Sequence, residues 1–281
     1  MNLDQWREQM QARLAPLHDQ CAFAAQRGAG LVGFQETRRF EVGSTFKAFV
    51  AAEYARQVAA GQVDPGMRLT IRPEDRVDSS DMTDQLLDGA TIPLQEAAEA
   101  MIAVSDNTAT DLVMGVVGAE KVRDLLHKLG LGDTTFPDST RSIYERFRAE
   151  PGWRPVACLT TMQDLMVFYT ATVNARSLGD DATELFLNLM RQEDILQGTR
   201  WPNDVTCFRK SGLLEPPPQF AMGMAGAFMS NGGEVTSFAF ALNVDFPEDA
   251  EIEDSPLEPM TRVFSEGLRF GLRDLAGEGI A

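Results

Sequence analysis

Lysine is scarce in this chain, with four residues among 281 against twenty-one arginines. Cysteine is scarcer still: Cys21, Cys158 and Cys207 are too few and too scattered for a disulfide framework or a four-ligand zinc site, and they read as core thiols. The two histidines, His18 and His127, stand in no metal-like spacing, which argues against a histidine-rich metal centre. Neither lies in a loop suited to catalysis and no Gly-x-Ser-x-Gly turn is present, so a serine-histidine-aspartate hydrolase is disfavoured. There is no stretch of about 18 apolar residues, and hence no membrane span. Positive charge is short as well: 25 basic against 42 acidic side chains leave a net charge of −17, which argues against nucleic acid or anionic lipid as a main partner.

The first ten residues alternate charges with isolated apolar side chains and contain neither the apolar run nor the small-residue cleavage site of a secretory signal. The expectation is a cytoplasmic protein, or a periplasmic or secreted one whose leader has been removed.

With 44% hydrophobic residues, the chain can bury a substantial core. Trp6, Met10, Leu14 and Leu17 recur at helical spacing over Leu3–Leu17. Two short strand-like runs, Ala22–Gln26 and Leu31–Gln35, flank Arg27-Gly28-Ala29-Gly30 and predict a hairpin. From Phe46, helical patterns joined by loops extend to about Val205, notably over Pro93–Val104, Ala109–Val117, Ala119–Leu129, Thr161–Val173 and Ala182–Arg191. Strand signals return at Thr206–Arg209, Phe220–Met229 and Val235–Val244, with a turn at Asn231-Gly232-Gly233, before a last helix over Pro259–Leu272. A lone two-stranded ribbon is marginal, so the two ends of the chain are expected to share one sheet. The predicted fold is α+β: residues 1–43 and 206–281 form a discontinuous domain, an antiparallel sheet flanked by the N- and C-terminal helices. Residues 44–205 form an all-helical domain, with the active site between the two.

Two of the four lysines stand beside serines, in Ser44-Thr45-Phe46-Lys47 and Lys210-Ser211-Gly212. Arginine is effectively never deprotonated, whereas a buried lysine near another cation can serve as a base. On a helix, a Ser-x-x-Lys pair sets both side chains on one face, where the amine can approach the hydroxyl, and the helix N-terminus favours an attacking oxyanion. Alone, the pattern also describes a serine cap followed by a solvated lysine. Ser105-Asp106-Asn107 follows one apolar helix and precedes another, and alone it reads as a helix junction. Lys210-Ser211-Gly212 lies in a strand-like run, where the glycine permits close backbone approach.

In this order the three elements resemble the serine β-lactamases and penicillin-binding proteins, whose motifs are Ser-x-x-Lys, Ser-Asp-Asn and Lys-Thr/Ser-Gly. The resemblance is closest to the class A β-lactamases. It runs from about Val32 to Asn243 and includes Phe40–Ala48, Leu69–Asp75 and Ser105–Ala109. It implies Ser44 as the acylated nucleophile, Lys47 as the neighbouring proton acceptor, and Ser105 as the hydroxyl that relays a proton to the leaving amine. It further implies that Asn107 hydrogen-bonds the substrate's amide side chain and that Lys210 and Ser211, beside Gly212, hold its carboxylate. The backbone N–H groups of Ser44 and Leu213 would form the oxyanion hole. No cofactor and no metal are implied, and the partner is a small-molecule substrate; the residues do not define an oligomeric state.

The departure lies before Thr160. Class A enzymes carry Arg-x-Glu-Pro-Glu-Leu-Asn there, and its first glutamate activates the deacylating water. This chain has Arg141–Trp153 instead. Glu145 is nearer to the expected distance and is the catalytic candidate, although its flanks do not match. Arg148-Ala149-Glu150-Pro151 copies the local letters but sits too near the following threonines. Either glutamate, or neither, fills the role.

The leading expectation is an acyl-serine hydrolase acting on a β-lactam or related amide. The alternatives are an intracellular esterase, amidase or acyltransferase of the same fold, a D-alanyl-D-alanine carboxypeptidase-like enzyme, and a non-catalytic penicillin-binding protein. Tyr144, Trp153, Phe220 and Trp201 are candidate pocket walls.

Overall fold

The computed structural model describes residues 2–149, 156–193, 201–214, 219–245 and 257–277. Glu150 and Trp153 lie outside them. Nine α-helices and nine strands occur among the described residues. The fold is α+β, as the sequence predicts, and its centre is a five-stranded antiparallel sheet. The strands are β1 (Cys21–Arg27), β2 (Gly30–Phe34), β7 (Val205–Leu214), β8 (Gln219–Ser230) and β9 (Val235–Asp245), in the spatial order β2-β1-β9-β8-β7. Both chain ends therefore contribute, with Phe23 opposite Phe34 on one side and Phe240 on the other. The Asn231-Gly232-Gly233 turn closes the β8–β9 hairpin, with Gly233 at φ +81°.

Strand alternation divides the sheet into two unlike faces. Phe23, Phe238 and Phe240 point to one side and pack with Trp6, Met10 and Leu14 of the N-terminal segment and Phe264, Leu268 and Leu272 near the C-terminus. The helices are α1 (Leu3–Arg13) and α9 (Leu257–Ala276), joined by the Trp6 indole N–H donating to the Gly271 carbonyl at 2.8 Å. Each buried Phe contributes about 1.5–3 kcal/mol of hydrophobic stabilisation. The other face carries Ala22, Ala24, Ala225, Ala227, Ala239 and Ala241, whose small side chains leave room for the helices between the two halves of the sheet.

Those helices are α2 (Lys47–Ala59), α3 (Leu94–Ala103), α4 (Asn107–Val117), α5 (Ala119–Leu129), α6 (Thr140–Ala149), α7 (Met162–Tyr169) and α8 (Asp180–Met190). They share one continuous core with the alanine face. Short ribbons interrupt them: β4 (Arg68–Thr70) with β5 (Thr91–Pro93), and β3 (Arg39–Glu41) with β6 (Leu159–Thr161). Asn243 of β9 grips β3 from both sides, accepting from Glu41 N and donating to Glu41 O, each at 2.8 Å. Among the described residues no helix is long and apolar enough to cross a membrane. All three cysteines are buried and none forms a disulfide.

Candidate active site

A tight turn places Ser44. Gly43–Phe46 form a 3-10 turn leading directly into α2, so Ser44 stands one turn ahead of the helix and Lys47 is its first residue. Gly43 has φ +52°, and a Cβ there would lie 2.8 Å from Leu213 N. A Cβ on Gly212 would meet Val42 O at 2.1 Å and the nitrogens of Ser44 and Thr45 at 2.6 Å. Only glycine lets the edge strand β7 press so closely on the Ser44 turn.

Among the described residues no further strand pairs with that edge. β7 is the last strand of the sheet, and Ser211 N turns outward to Glu193 at 3.0–3.2 Å instead of to β8. Antiparallel pairing alternates, so the N–H of Leu213, two residues on, faces the same outer side of the sheet, beside the Ser44 turn.

Lys47 is fully buried, and its amine donates to Asn107 Oδ1 at 2.7 Å, to Ser105 Oγ at 3.1 Å and to the Ser105 carbonyl. Among the described residues no carboxylate touches it. Burial, then the charge of nearby Lys210, push its pKa well below the ordinary lysine value, against the opposing pull of Asp106 and Asp111. The Ser44 side chain is half-buried and its hydroxyl has no hydrogen-bond partner among the described residues.

The Ser-Asp-Asn segment is a junction whose three side chains all have work. Asp106 caps α4 through Ala109 N at 2.7 Å and binds Thr83 N at 2.8 Å and Met82 N at 3.1 Å, pinning the 77–83 loop. Asn107 Nδ2 donates to the Asp78 carbonyl at 2.7 Å and the Tyr144 hydroxyl at 3.3 Å. Its amide thus links Lys47 to two cleft walls. Ser105 sits at φ +59°, an uncommon backbone state for a non-glycine residue.

α6 lies outside the helical patterns read from the sequence. Asp111 of α4 accepts from Thr140 N at 2.6 Å and Arg141 N at 2.9 Å, satisfying first-turn donors of α6. Ser139 accepts from Ser142 N at 3.0 Å, a capping signal already present in the sequence.

These parts enclose a cleft of about 480 Å³, lined by Ser44, Ser105, Asn107, Ser211, Gly212 and Leu213 together with Asp78, Ser79, Asp81, Val104, Ile143, Tyr144, Arg148 and Leu214. Lys47 lies buried next to Ser105 and Asn107. Two expected residues stand apart. Glu145 is exposed on α6 and does not line the cleft. Lys210 is buried, with its amine 2.9 Å from Glu193 Oε2 and 2.9 Å from the Ser211 carbonyl. Of the candidate walls, Tyr144 lines the cleft, whereas Phe220 lies in the core beneath the sheet and Trp201 packs on Phe228.

Glu193 was not foreseen. It is buried, faces Arg209 at 3.3 Å as well as Lys210, and accepts from Ser211 N. Burial opposes its ionisation, but Lys210, Arg209 and Ser211 prevail and hold its carboxyl below the usual value. The adjacent cations Arg209-Lys210 inside a strand called for a buried acid, though nothing local named which one. Glu41 is a second such residue. It is buried under the Ser44 turn, where it accepts from Gly43 N at 2.9 Å and Cys158 N at 3.0 Å, and burial raises its pKa to about 7.

The model of the beta-lactamase enzyme family matches residues 8–251. The chain belongs to that family. Among curated relatives, beta-lactamase PSE-4 of Pseudomonas aeruginosa is 31% identical over 102 residues, a match spanning 36% of this chain and 35% of the relative. The chain thus matches about a third of that relative's length. The fold agrees over nearly the whole chain with solved structures. The chromosome-encoded beta-lactamase of Vibrio parahaemolyticus superposes with a TM-score of 0.74 at 17% identity, covering 98% of this chain and 100% of that one. A beta-lactamase from Sphaerobacter thermophilus gives 0.77 at 19% identity, covering 99% and 98%. The family assignment and the α+β architecture accord with the motif resemblance.

Proposed function

We propose that the protein is a serine hydrolase that forms an acyl-enzyme with a β-lactam or a related amide. The observation that carries this reading is the buried Lys47 amine, without a carboxylate partner among the described residues, held between Ser105 and Asn107 beside a cleft that opens on Ser44. In the uncharged form favoured by its surroundings, Lys47 accepts the Ser44 proton as Oγ bonds to the carbonyl carbon. The N–H groups of Ser44 and Leu213 stabilise the oxyanion. When the C–N bond breaks, the proton passes from Lys47 through the Ser105 hydroxyl to the leaving nitrogen. Water then adds to the ester, the acid departs, and the Ser44 hydroxyl is restored.

The test is a chromogenic cephalosporin and a penicillin set beside a panel of simple esters, with wild type and Ser44→Ala. The expected result is Ser44-dependent release of product; no hydrolysis and no adduct on Ser44 would reject the reading.

A second reading has its own support. Glu145 is exposed and outside the cleft lining, so it is poorly placed to activate a deacylating water. That favours slow hydrolysis of the acyl-enzyme, and hence an esterase or a transferase that passes the acyl group to an amine. A lasting adduct discharged by an added amine supports this second reading; rapid turnover in water supports the first.

A further inference from the structure

The Asn107 side chain dictates what one hydroxyl in the cleft must do. The Asp78 carbonyl only accepts, so the Asn107 atom 2.7 Å from it is the amide nitrogen, and the amide oxygen faces the Lys47 amine at 2.7 Å. The second N–H of that nitrogen goes to the Tyr144 hydroxyl at 3.3 Å. Tyr144 Oη is therefore an acceptor toward Asn107, and its own proton is left for another partner. No described residue takes that proton. Tyr144 is half-buried and lines the cleft, so the proton is available to an acceptor bound there. Two ties hold the ring in place. α6 begins at Thr140, whose N–H donates to Asp111 of α4 at 2.6 Å, and Arg148, one turn beyond Tyr144, pairs with Asp78. The hydroxyl is thus set against Asn107, and through it against Lys47, before a ligand enters.

We propose that Tyr144 is a specificity-determining residue, whose hydroxyl, beside Asn107, donates a hydrogen bond to an amide carbonyl of the acyl donor other than the carbonyl under attack. The site thereby favours acyl donors that carry an acylamino group near the scissile bond over those that lack one. With such a carbonyl in place, a chain of hydrogen bonds runs from Asn107 through Tyr144 to the ligand, each polarising the next. An acyl donor without it fills the cleft and leaves the hydroxyl proton unpaired. This proposal rests on the acyl-serine reading.

Benzylpenicillin and penicillanic acid test it, because they share the fused ring and the carboxylate and only the first carries an acylamino group. The phenyl esters of N-phenylacetylglycine and 5-phenylpentanoic acid repeat the contrast in an acyclic acyl donor. The second-order rate of Ser44 acylation is read by intact-protein mass for wild type, Tyr144→Phe and Tyr144→Leu. Tyr144→Phe keeps the ring and removes only the hydroxyl. It is expected to slow the amide-bearing member of each reactive pair about tenfold and its partner by less than about threefold. Equal slowing of both members makes Tyr144 a structural residue of α6, and an unchanged rate for the amide-bearing member shows that Asn107 needs no help from it; either result overturns the proposal while leaving the acyl-serine reading intact. Should Tyr144→Phe fail to fold, Tyr144→Leu decides by the same ratio. Failure of all four compounds to acylate Ser44 overturns the acyl-serine reading and this proposal with it.

Discussion

The Lys47 amine donates to the carbonyl of Ser105, a residue held at φ +59°. A left-handed backbone costs a non-glycine residue about 1–2 kcal/mol, and here the conformation aims both the carbonyl and the hydroxyl of Ser105 at the same amine. In the proposed mechanism, the base Lys47 and the proton relay Ser105 are thus fixed to each other before a substrate arrives.

Replacing Lys47, the proposed base, separates chemistry from fold. Lys47→Arg keeps a cation but loses a group that can deprotonate, and Lys47→Met loses the amine outright. Both are expected to slow acylation of Ser44 by about 10²–10⁴-fold, the span of general-base catalysis. Stopped-flow acylation with a chromogenic substrate checks this. A variant within a few-fold of wild type would remove Lys47 from the mechanism.

Gly212→Ala tests the pressure of β7 on the Ser44 turn. Its Cβ would fall 2.1 Å from Val42 O and 2.6 Å from Ser44 N, backbone atoms that cannot swing away. The strand and turn must separate, with an expected loss of about 1–3 kcal/mol and a marked fall in acylation. Urea unfolding beside acylation rates would show both losses; an unchanged pair of values contradicts the close packing.

Asp106→Ala removes a buried carboxylate that serves four donors, on Ala109, Met82 and Thr83. The expected cost is about 3 kcal/mol, from the lost helix cap and the donors left unpaired. Thermal and urea denaturation measure it, and a change below about 0.5 kcal/mol would put Asp106 among ordinary surface positions.

Much of this architecture is local in origin and was therefore legible. The apolar stripe of α2, the Gly28–Gly30 hairpin connection and the Asn231-Gly232-Gly233 turn each depend on a few neighbouring residues. The reading of Ser105-Asp106-Asn107 as a capped helix junction holds for Asp106, whichever roles its neighbours have in the chemistry. What escaped is long-range. Glu193 is one acid among 42, and it owes its burial to Arg209 and Lys210 on a strand that begins 12 residues later. α6 escaped because Arg141, Glu145, Arg146 and Arg148 dilute its apolar face, and its anchor, Asp111, belongs to another helix. The pairing of β3 with β6 joins segments about 120 residues apart, beyond any periodicity argument.

Glu41 supplies a pH test with a definite sign. Its folded-state pKa is raised from 4.5 to about 7 by burial. Between those values the folded protein binds more protons than the unfolded chain, so stability falls as pH rises. The contribution is fully present below about pH 4.5 and lost as pH passes about 7. Wild type should therefore lose roughly 3 kcal/mol relative to Glu41→Gln between pH 4.5 and 8. Parallel urea titrations across that range measure the difference, and parallel pH profiles for the two proteins would contradict it.

The central claim is that Ser44 becomes covalently acylated. Intact-protein mass followed over time after mixing with a reactive β-lactam, with peptide mapping of the product, tests it most directly. The account predicts one adduct with the full mass of the β-lactam, on the peptide that carries Ser44, and none in Ser44→Ala. An adduct on another residue, or an unmodified wild type at saturating β-lactam and ester alike, would contradict it.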